Sequence, residues 1–372
     1  MRYYIIAGER SGDLHAGNLV KAIKATDNGA IFKGFGGDNM SQEGVVLTVH
    51  YRDLAFMGLV ELITNATKIR RYIKQCKEDI IRYKPDVIIL VDYGGFNLQI
   101  ARFGKKEGFK IFYYIAPKYW AWYQNRARWL KPYVDRLFVI LPFEKNFFKK
   151  FDWESDYVGN PVLDAVLAHN PDPTFLNRNN LLANKRYVAL LPGSRKQELN
   201  TIIPLMAEIV KQFPHHHFLV AAVNNLDRSL YQAITSYDNV TLIFEDTYNL
   251  LINSAAGIVT SGTATLEAAL FKVPQIVVYK ANPISYWLAR AMVKVRYISL
   301  VNLIVDREVV REMIQSDATV GQVSAELRKL LDDIGYRVKI ENGYDEIIRI
   351  MYMGSASVNT AELMRKYLNE GG

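Results

Sequence analysis

Two short polar segments in this chain have residue types and spacing suited to holding a diphosphate. The first is Leu190-Leu191-Pro192-Gly193-Ser194-Arg195-Lys196-Gln197-Glu198. It closes an apolar run, Tyr187 to Leu191, that reads as a buried strand, and it precedes Ile202 to Phe213, whose apolar residues recur with a helical period. A strand, a Gly-Ser-Arg turn and a helix start make an anion site. Gly193 lets the backbone come close, the helix N-terminus offers free N–H groups, and Arg195 adds a forked cation. The second segment is Ser261-Gly262-Thr263-Ala264-Thr265-Leu266-Glu267-Ala268, which follows the apolar strand Gly257 to Thr260 and opens a helix. Set at the carboxyl ends of neighbouring parallel strands, the two turns could hold both ends of a nucleotide diphosphate through Gly193, Ser194, Arg195, Ser261, Gly262, Thr263 and Ala264. The plainer alternative for the first segment is an ordinary strand-to-helix turn with a surface arginine.

The elements that must position these turns alternate along the chain. In the first half, strands are expected at Tyr3–Ala7, Ile31–Phe35, Val87–Asp92, Lys110–Ile115, Arg136–Leu141 and Asp156–Gly159, with helix-like segments such as Ala16–Ala25, Ile69–Tyr83 and Leu98–Glu107 between them. The apolar runs are continuous rather than alternating, as in strands covered on both faces, which points to a doubly wound parallel sheet. A polar stretch rich in Pro and Asn, His169 to Pro173 and then Asn177 to Asn180, reads as a linker. The pattern then restarts at Tyr187–Leu191, His217–Ala222, Val240–Phe244, Gly257–Thr260 and Gln275–Tyr279, and from about Arg307 it reads as helices. The expectation is an α/β chain of two Rossmann-like domains, 1–170 and 171–340, facing a cleft. C-terminal helices at 341–372 could pack back on the first domain or on a second copy of the chain.

Length and composition set bounds. A chain of 372 residues has room for two cores. Its single cysteine, Cys76, excludes a disulfide framework and a cysteine-based zinc cluster, and the His215–His217 run leads from a loop into a strand without metal-ligand spacing. The chain opens directly into a strand without a cleavable leader, and no apolar run reaches the roughly 18–20 residues that span a bilayer. A cytoplasmic protein, or one attached to the cytoplasmic face of a membrane, is expected. Residues 1–170 hold 25 Lys and Arg against 18 Asp and Glu, a net of +7, while the remainder carries +1. A basic half can attract an anionic surface, or it can simply be a solvated face. Without a recognisable nucleic-acid motif, no nucleic-acid partner is expected.

Several motifs, in order, resemble the lipid-A-disaccharide synthase family of bacterial glycosyltransferases. They begin with Ala7-Gly8-Glu9-Arg10-Ser11-Gly12-Asp13 and Phe56-Met57-Gly58-Leu59-Val60-Glu61, then Lys84-Pro85-Asp86-Val87 and Asp92 with Phe96-Asn97. Trp120-Ala121-Trp122, Leu141-Pro142-Phe143-Glu144 and Val158-Gly159-Asn160-Pro161 follow. The two diphosphate segments and Tyr297-Ile298-Ser299-Leu300-Val301-Asn302-Leu303 complete the series. The Gly-Glu-Arg-Ser-Gly-Asp and Trp-Ala-Trp pieces are the most specific. The resemblance implies the GT-B glycosyltransferase fold and an inverting transfer. The donor is UDP-2,3-diacylglucosamine, the acceptor is 2,3-diacylglucosamine 1-phosphate, and the products are a β-1,6-linked disaccharide 1-phosphate and UDP. Two positions depart from the commoner pattern. Gly95 stands where many relatives carry a second acid, and Ala116-Pro117 replaces Ser-Pro before Trp120.

Such a transfer needs a base, stabilisation of the leaving diphosphate, and limited attack by water. Asp92 ends the apolar strand Val87–Val91, where ligands of doubly wound folds bind, so a partly desolvated carboxylate there could act as base. With Gly95 it has no acidic neighbour in its own loop, and a helix N-cap is its plainer role. Glu9, Asp13 and His15 are reserve bases, Ser11 or Asp13 could instead cap a helix near Leu14, and Ser11 and Gly12 are expected to hold sugar or acceptor groups. No Asp-x-Asp motif follows an apolar strand, so no metal and no cofactor are expected. The family pattern assigns Glu267 to the ribose and Asn302 to the nucleotide sugar, although Glu267 could also just complement the helix dipole. Phe56, Met57 and Leu59 could line an acyl groove. The stretches Trp120–Lys131 and Phe143–Trp153, with Trp120 and Trp122, read either as core or as an aromatic–basic surface for acyl chains and anionic lipid. The rival readings are a UDP-N-acetylglucosamine transferase or epimerase on the same scaffold, and a non-catalytic lipid-binding protein.

Overall fold

The computed structural model describes residues 1–54, 66–281 and 295–370. The segment holding Phe56, Met57 and Leu59 lies outside the described residues. The chain divides into two compact units, one of Met1–Pro161 with Met353–Gly372, the other of Val162–Tyr352. The divisions thus fall near 161 and 352 rather than at 170 and 340. The stretch His169–Pro173 and Asn177–Asn180, expected as a linker, is tied to the second unit. Asn249 accepts the Asp172 N–H at 2.9 Å, and Arg178 pairs with Asp172 and Asp246.

In the first unit a seven-stranded parallel sheet is built from β1 (Arg2–Ala7), β2 (Ile31–Gly36), β3 (Val46–His50), β4 (Val87–Val91), β5 (Lys110–Tyr114), β6 (Arg136–Val139) and β7 (Asp156–Tyr157). Its order is β3-β2-β1-β4-β5-β6-β7. In the second unit a six-stranded parallel sheet is built from β8 (Tyr187–Leu191), β9 (His217–Ala222), β10 (Val240–Phe244), β11 (Ser254–Thr260), β12 (Gln275–Tyr279) and β13 (Arg311–Ile314), in the order β10-β9-β8-β11-β12-β13. All residues of β4 and β8 are buried, because helices cover both faces, which is why these strands read as unbroken apolar runs.

Each sheet reverses its strand order at one place, between β1 and β4 and between β8 and β11. Loops leaving a parallel sheet at such a reversal diverge to opposite faces and leave a crevice at the strand carboxyl ends. The registers Ala7 beside Val91 and Leu191 beside Val259 therefore bring the Glu9 loop next to the Asp92 loop, and the Arg195 turn next to the Ser261 turn.

Two strands depart from the sequence pattern. β3 is a sheet edge with only Val49 buried, so it lacks a continuous apolar signal. β13 is Arg-Glu-Met-Ile, in a region expected to be helical, and its charge at Glu312 is consumed by local hydrogen bonds described below. The last helix, Ala356–Asn369, completes the first unit's core. Ala361, Met364 and Leu368 pack among Ala16, Leu19, Val20, Ile23 and the sheet.

Candidate active site

Asp92 is held by its backbone in an unusual conformation. It and Tyr93 both have positive φ, 45° and 47°, a region that costs a residue with a β-carbon roughly 1–2 kcal/mol. The neighbouring elements fix it. The Tyr113 hydroxyl, on β5, donates to the Asp92 carbonyl at 2.5 Å, and Asn97 Nδ2 donates to the same oxygen at 2.8 Å. The following helix, Gly94–Lys106, has Tyr93 as its N-cap without a side-chain capping bond. That helix starts earlier than the sequence suggests, and Asp92 precedes its cap, so the carboxylate is not consumed by capping. Burial pushes the Asp92 carboxyl up to about 6, the nearby Glu9 charge adds to the rise, and Lys118 opposes it. The side chain is half-buried, so it is desolvated yet still reachable.

Glu9 is the N-cap residue of the helix Arg10–Thr26, and its side chain makes no capping bond. Gly8 is required beside it, because a β-carbon there would lie 2.3 Å from the Tyr93 ring. Tyr93 thus packs directly over the first loop and locks the two loops together. His15, one turn further on, is kept neutral by burial, which lowers its pKa to about 4. Ser11 is exposed in the first helical turn, while Gly12 is buried.

Asp13 has a different task from the one expected. It is fully buried, and its two oxygens accept the N–H groups of Gly37, Asn39 and Met40 and the Asn39 amide, at 2.6–3.2 Å. Asp13 therefore caps the neighbouring helix Asp38–Gln42 and has no free oxygen to take a substrate proton. Trp120 is likewise a core residue. It is buried, stands edge-on to Phe143, and donates its indole N–H at 3.0 Å to Glu144. Glu144 also accepts the Ile140 and Leu141 N–H groups, and its complete burial pushes its carboxyl up to about 7. Of the aromatic–basic stretches, Phe147, Phe148 and Trp153 are buried, whereas Trp122, Tyr123 and Trp129 are 50%, 49% and 56% exposed. Arg126 lies over the Tyr123 ring at 4.6 Å.

In the second unit the Gly193 turn has φ +106°, and a β-carbon there would strike Glu198. Glu198 Oε2 accepts the Ser194 and Arg195 N–H groups at 3.0 and 3.2 Å. The N–H groups expected to be free at this turn are therefore already paired with the chain's own carboxylate, and the Arg195 guanidinium is exposed 3.8 Å from it. The second turn is more open. Gly262 is the N-cap of the helix Thr263–Leu270, and nothing lies within 4 Å of where its β-carbon would be. Of the first-turn N–H groups, Thr265 donates to the Gly262 carbonyl at 3.2 Å, while those of Thr263 and Ala264 have no acceptor within an α-helix. Ser261 donates its hydroxyl to the Ile298 carbonyl at 3.1 Å, so its side chain shapes the turn. Ala264 is half-buried and Thr263 exposed. Burial raises the Glu267 carboxyl, while a hydrogen bond from Tyr248 at 3.3 Å counters the rise.

Asn302 corrects the sequence reading. It is fully buried, and its amide is consumed internally. Its oxygen accepts the Val309 and Val310 N–H groups, and its nitrogen donates to the Val310 carbonyl and to Glu312. Glu312 in turn accepts the Ile298 and Ser299 N–H groups and the Ser299 hydroxyl. Asn302 thus clamps the connection into β13 rather than facing a ligand. Residue spacing alone gave no signal for Lys118, Tyr248 or Glu312, because each acts through a contact distant in sequence. Among the described residues, no group of three or more His, Cys, Asp or Glu is placed to hold a metal ion.

Comparison with known proteins supplies the chemistry that the geometry leaves open. The sequence model of the lipid-A-disaccharide synthetase family matches residues 3–362. The chain is 38% identical over 344 residues to a lipid-A-disaccharide synthase of Syntrophus aciditrophicus, covering 91% of this chain and 90% of that one. It is 34% identical to a lipid-A-disaccharide synthase of Myxococcus xanthus, covering 100% and 98%. Among solved structures it resembles a UDP-GlcNAc 2-epimerase of Neisseria meningitidis bound to UDP-GlcNAc, at a TM-score of 0.68, 14% identity and full coverage of both chains. It also resembles the kitacinnamycin glycosyltransferase, at 0.69 and 14% with 99% of each chain covered. At such identities the structural likeness speaks for the shared fold alone. The sequence match, running almost end to end, decides the rest: the chain belongs to the lipid-A-disaccharide synthase family.

Proposed function

We propose that this chain transfers the 2,3-diacylglucosaminyl group of UDP-2,3-diacylglucosamine to the 6-hydroxyl of 2,3-diacylglucosamine 1-phosphate. Asp92 takes the hydroxyl proton as the acceptor oxygen bonds to C1 of the donor sugar. The C1–O bond to the diphosphate breaks with its electron pair leaving on UDP, and the configuration at C1 inverts to β. The observation that carries the reading is Asp92 itself, a reachable carboxylate at a strand-order reversal, with its pKa raised to about 6 by burial and by Glu9. A base of that strength is ionised at pH 7 and still accepts a proton more readily than an ordinary aspartate.

The donor's diphosphate is assigned to Arg195 and to the first-turn N–H groups at Gly262, Thr263 and Ala264, with Gly193, Ser194 and Ser261 shaping the two turns. Its ribose is assigned to Glu267. The charge of the leaving group is then met by a helix N-terminus and a guanidinium without a metal. The acceptor belongs to the first unit, near Glu9, Ser11, Gly12 and Lys118. Trp122, Tyr123 and Trp129 are exposed in one short stretch with Arg126 and Arg128, and this aromatic–basic stretch is assigned to the headgroup region of an anionic membrane, where acylated substrates reside. No helix among the described residues is long and apolar enough to cross a membrane. Mass spectrometry of the product made from defined acylated donor and acceptor tests the substrate assignment. A disaccharide 1-phosphate carrying both acyl pairs is expected. UDP release that does not depend on the acylated acceptor would overturn it.

A further inference from the structure

Glu267 does not stand alone. Tyr248, in the helix Thr247–Ile252 that follows β10, donates its hydroxyl to one Glu267 oxygen at 3.3 Å. The Tyr248 ring is braced on two sides, with Phe271 at 4.9 Å between ring centroids and His169 edge-on at 5.2 Å and 90°. His169 is held in turn by Asn249 Oδ1 at 3.4 Å, and the Asn249 amide nitrogen donates to Asp246 at 2.7 Å. Arg178 ties Asp246 to Asp172. A tyrosine fixed this firmly sets the rotamer of the carboxylate it touches through one oxygen, and Glu267 lies one turn into the helix that the Gly262 turn opens.

We infer that Tyr248 is a positioning residue for nucleotide recognition, orienting the Glu267 carboxylate so that its remaining lone pairs accept the ribose hydroxyls of a uridine diphosphate. This rests on the assignment of Glu267 to the ribose. The hydroxyl supplies one donor to a buried carboxylate that would otherwise favour its protonated form, and a protonated carboxyl has fewer lone pairs to offer a diol. Orientation, rather than added contact area, is what the phenol contributes.

The experiment measures binding of UDP, 2′-deoxy-UDP and 3′-deoxy-UDP by calorimetry to the full-length wild-type chain, Tyr248→Phe and Glu267→Gln. Removing a hydroxyl bonded to a charged group should weaken wild-type binding by roughly tenfold or more. Tyr248→Phe keeps the ring packing, so it should leave affinity for the deoxy nucleotides close to wild type while shrinking the preference for UDP to about threefold or less. A purely structural role would weaken all three ligands alike and keep the preference, which would overturn the inference. So would a Tyr248→Phe chain with the full wild-type preference when Glu267→Gln has lost it. If the wild-type chain itself shows no preference, the ribose assignment of Glu267 fails, and the role of Tyr248 falls with it.

Discussion

The pH dependence of sugar transfer should report the ionisation of Asp92. Burial is the larger cause of its rise to about 6, and the Glu9 charge is the next. A general base works only when deprotonated, so kcat should level off above about pH 7 and fall nearly tenfold per unit below about pH 5. An ordinary aspartate would place that acidic limb about two units lower. Glu9→Gln removes one raising cause and should shift the limb to lower pH without abolishing it. Asp92→Asn should lower kcat by about 10²–10⁴-fold with little effect on UDP binding. Stability should move the other way. The folded chain holds the Asp92 proton more tightly than the unfolded chain, so this group's contribution is fully present below the unfolded pKa and is lost as pH rises through about 6. At pH 7 the ionised carboxylate then costs on the order of 3 kcal/mol, and Asp92→Asn should recover part of it. The assays are UDP release at saturating substrates across the pH range, and urea unfolding of both chains on either side of the transition. An acidic limb that survives unchanged in a partly active Asp92→Asn enzyme would place the base elsewhere. A variant no more stable than the wild type at neutral pH would refute the burial argument.

Arg195→Ala should reduce kcat/KM by an amount equivalent to about 2–4 kcal/mol while urea unfolding is unchanged, since the guanidinium is exposed. Near-normal kinetics would remove it from the diphosphate site. Asn302→Ala should act the opposite way. It leaves the Val309 and Val310 N–H groups, the Val310 carbonyl and Glu312 short of partners, so stability should fall by about 2–4 kcal/mol. Lost UDP affinity with intact stability would return Asn302 to the ligand. Binding to anionic vesicles should weaken steeply with salt, because each basic side chain at such a surface contributes about 1 kcal/mol that ions screen. Replacing Trp122 and Trp129 by serine should weaken what binding high salt leaves, and equal binding to neutral vesicles would refute the electrostatic part.

The strands that carry both reversals were legible because burial on two faces writes itself as an unbroken apolar run, and the turns after β1, β4, β8 and β11 were legible from their glycines and polar residues. Tertiary pairing was not. Asp13 sits in the same short motif as Glu9, yet its partners lie at Gly37–Met40, so nothing local distinguishes a cap for a remote helix from a spare base. The residues Trp120 and Trp122 are two apart and point to opposite fates, one bonded to Glu144 in the core and the other half in water. Asn302 was assigned to the nucleotide sugar by family resemblance alone, and its partners at Val309, Val310 and Glu312 are set by how the chain folds back into β13. Glu198 was visible as part of a helix start, but its reach back to Ser194 and Arg195 depends on the sharp turn at Gly193.

The first unit's core is closed by Ala361, Met364 and Leu368, residues that the chain delivers only after the whole second unit. Asn359 reaches Val158, and Tyr367 reaches Asp156 beneath the Arg136 guanidinium, so strand β7 also waits for them. At synthesis rates of roughly 5–20 residues per second, the intervening Val162–Tyr352 delays that closure by about 10–40 s. The usual N-to-C order of domain maturation is thereby inverted. The second unit is contiguous and can mature while the chain is still being made, whereas the half bearing Asp92 reaches its final packing only once the C-terminal helix has left the ribosome. During that interval the apolar side of the helix Arg10–Thr26 lacks the cover that Ala361, Met364 and Leu368 give it. A chain stopped after Tyr352 should accordingly show the unfolding transition of the second unit and a first unit that binds apolar dyes.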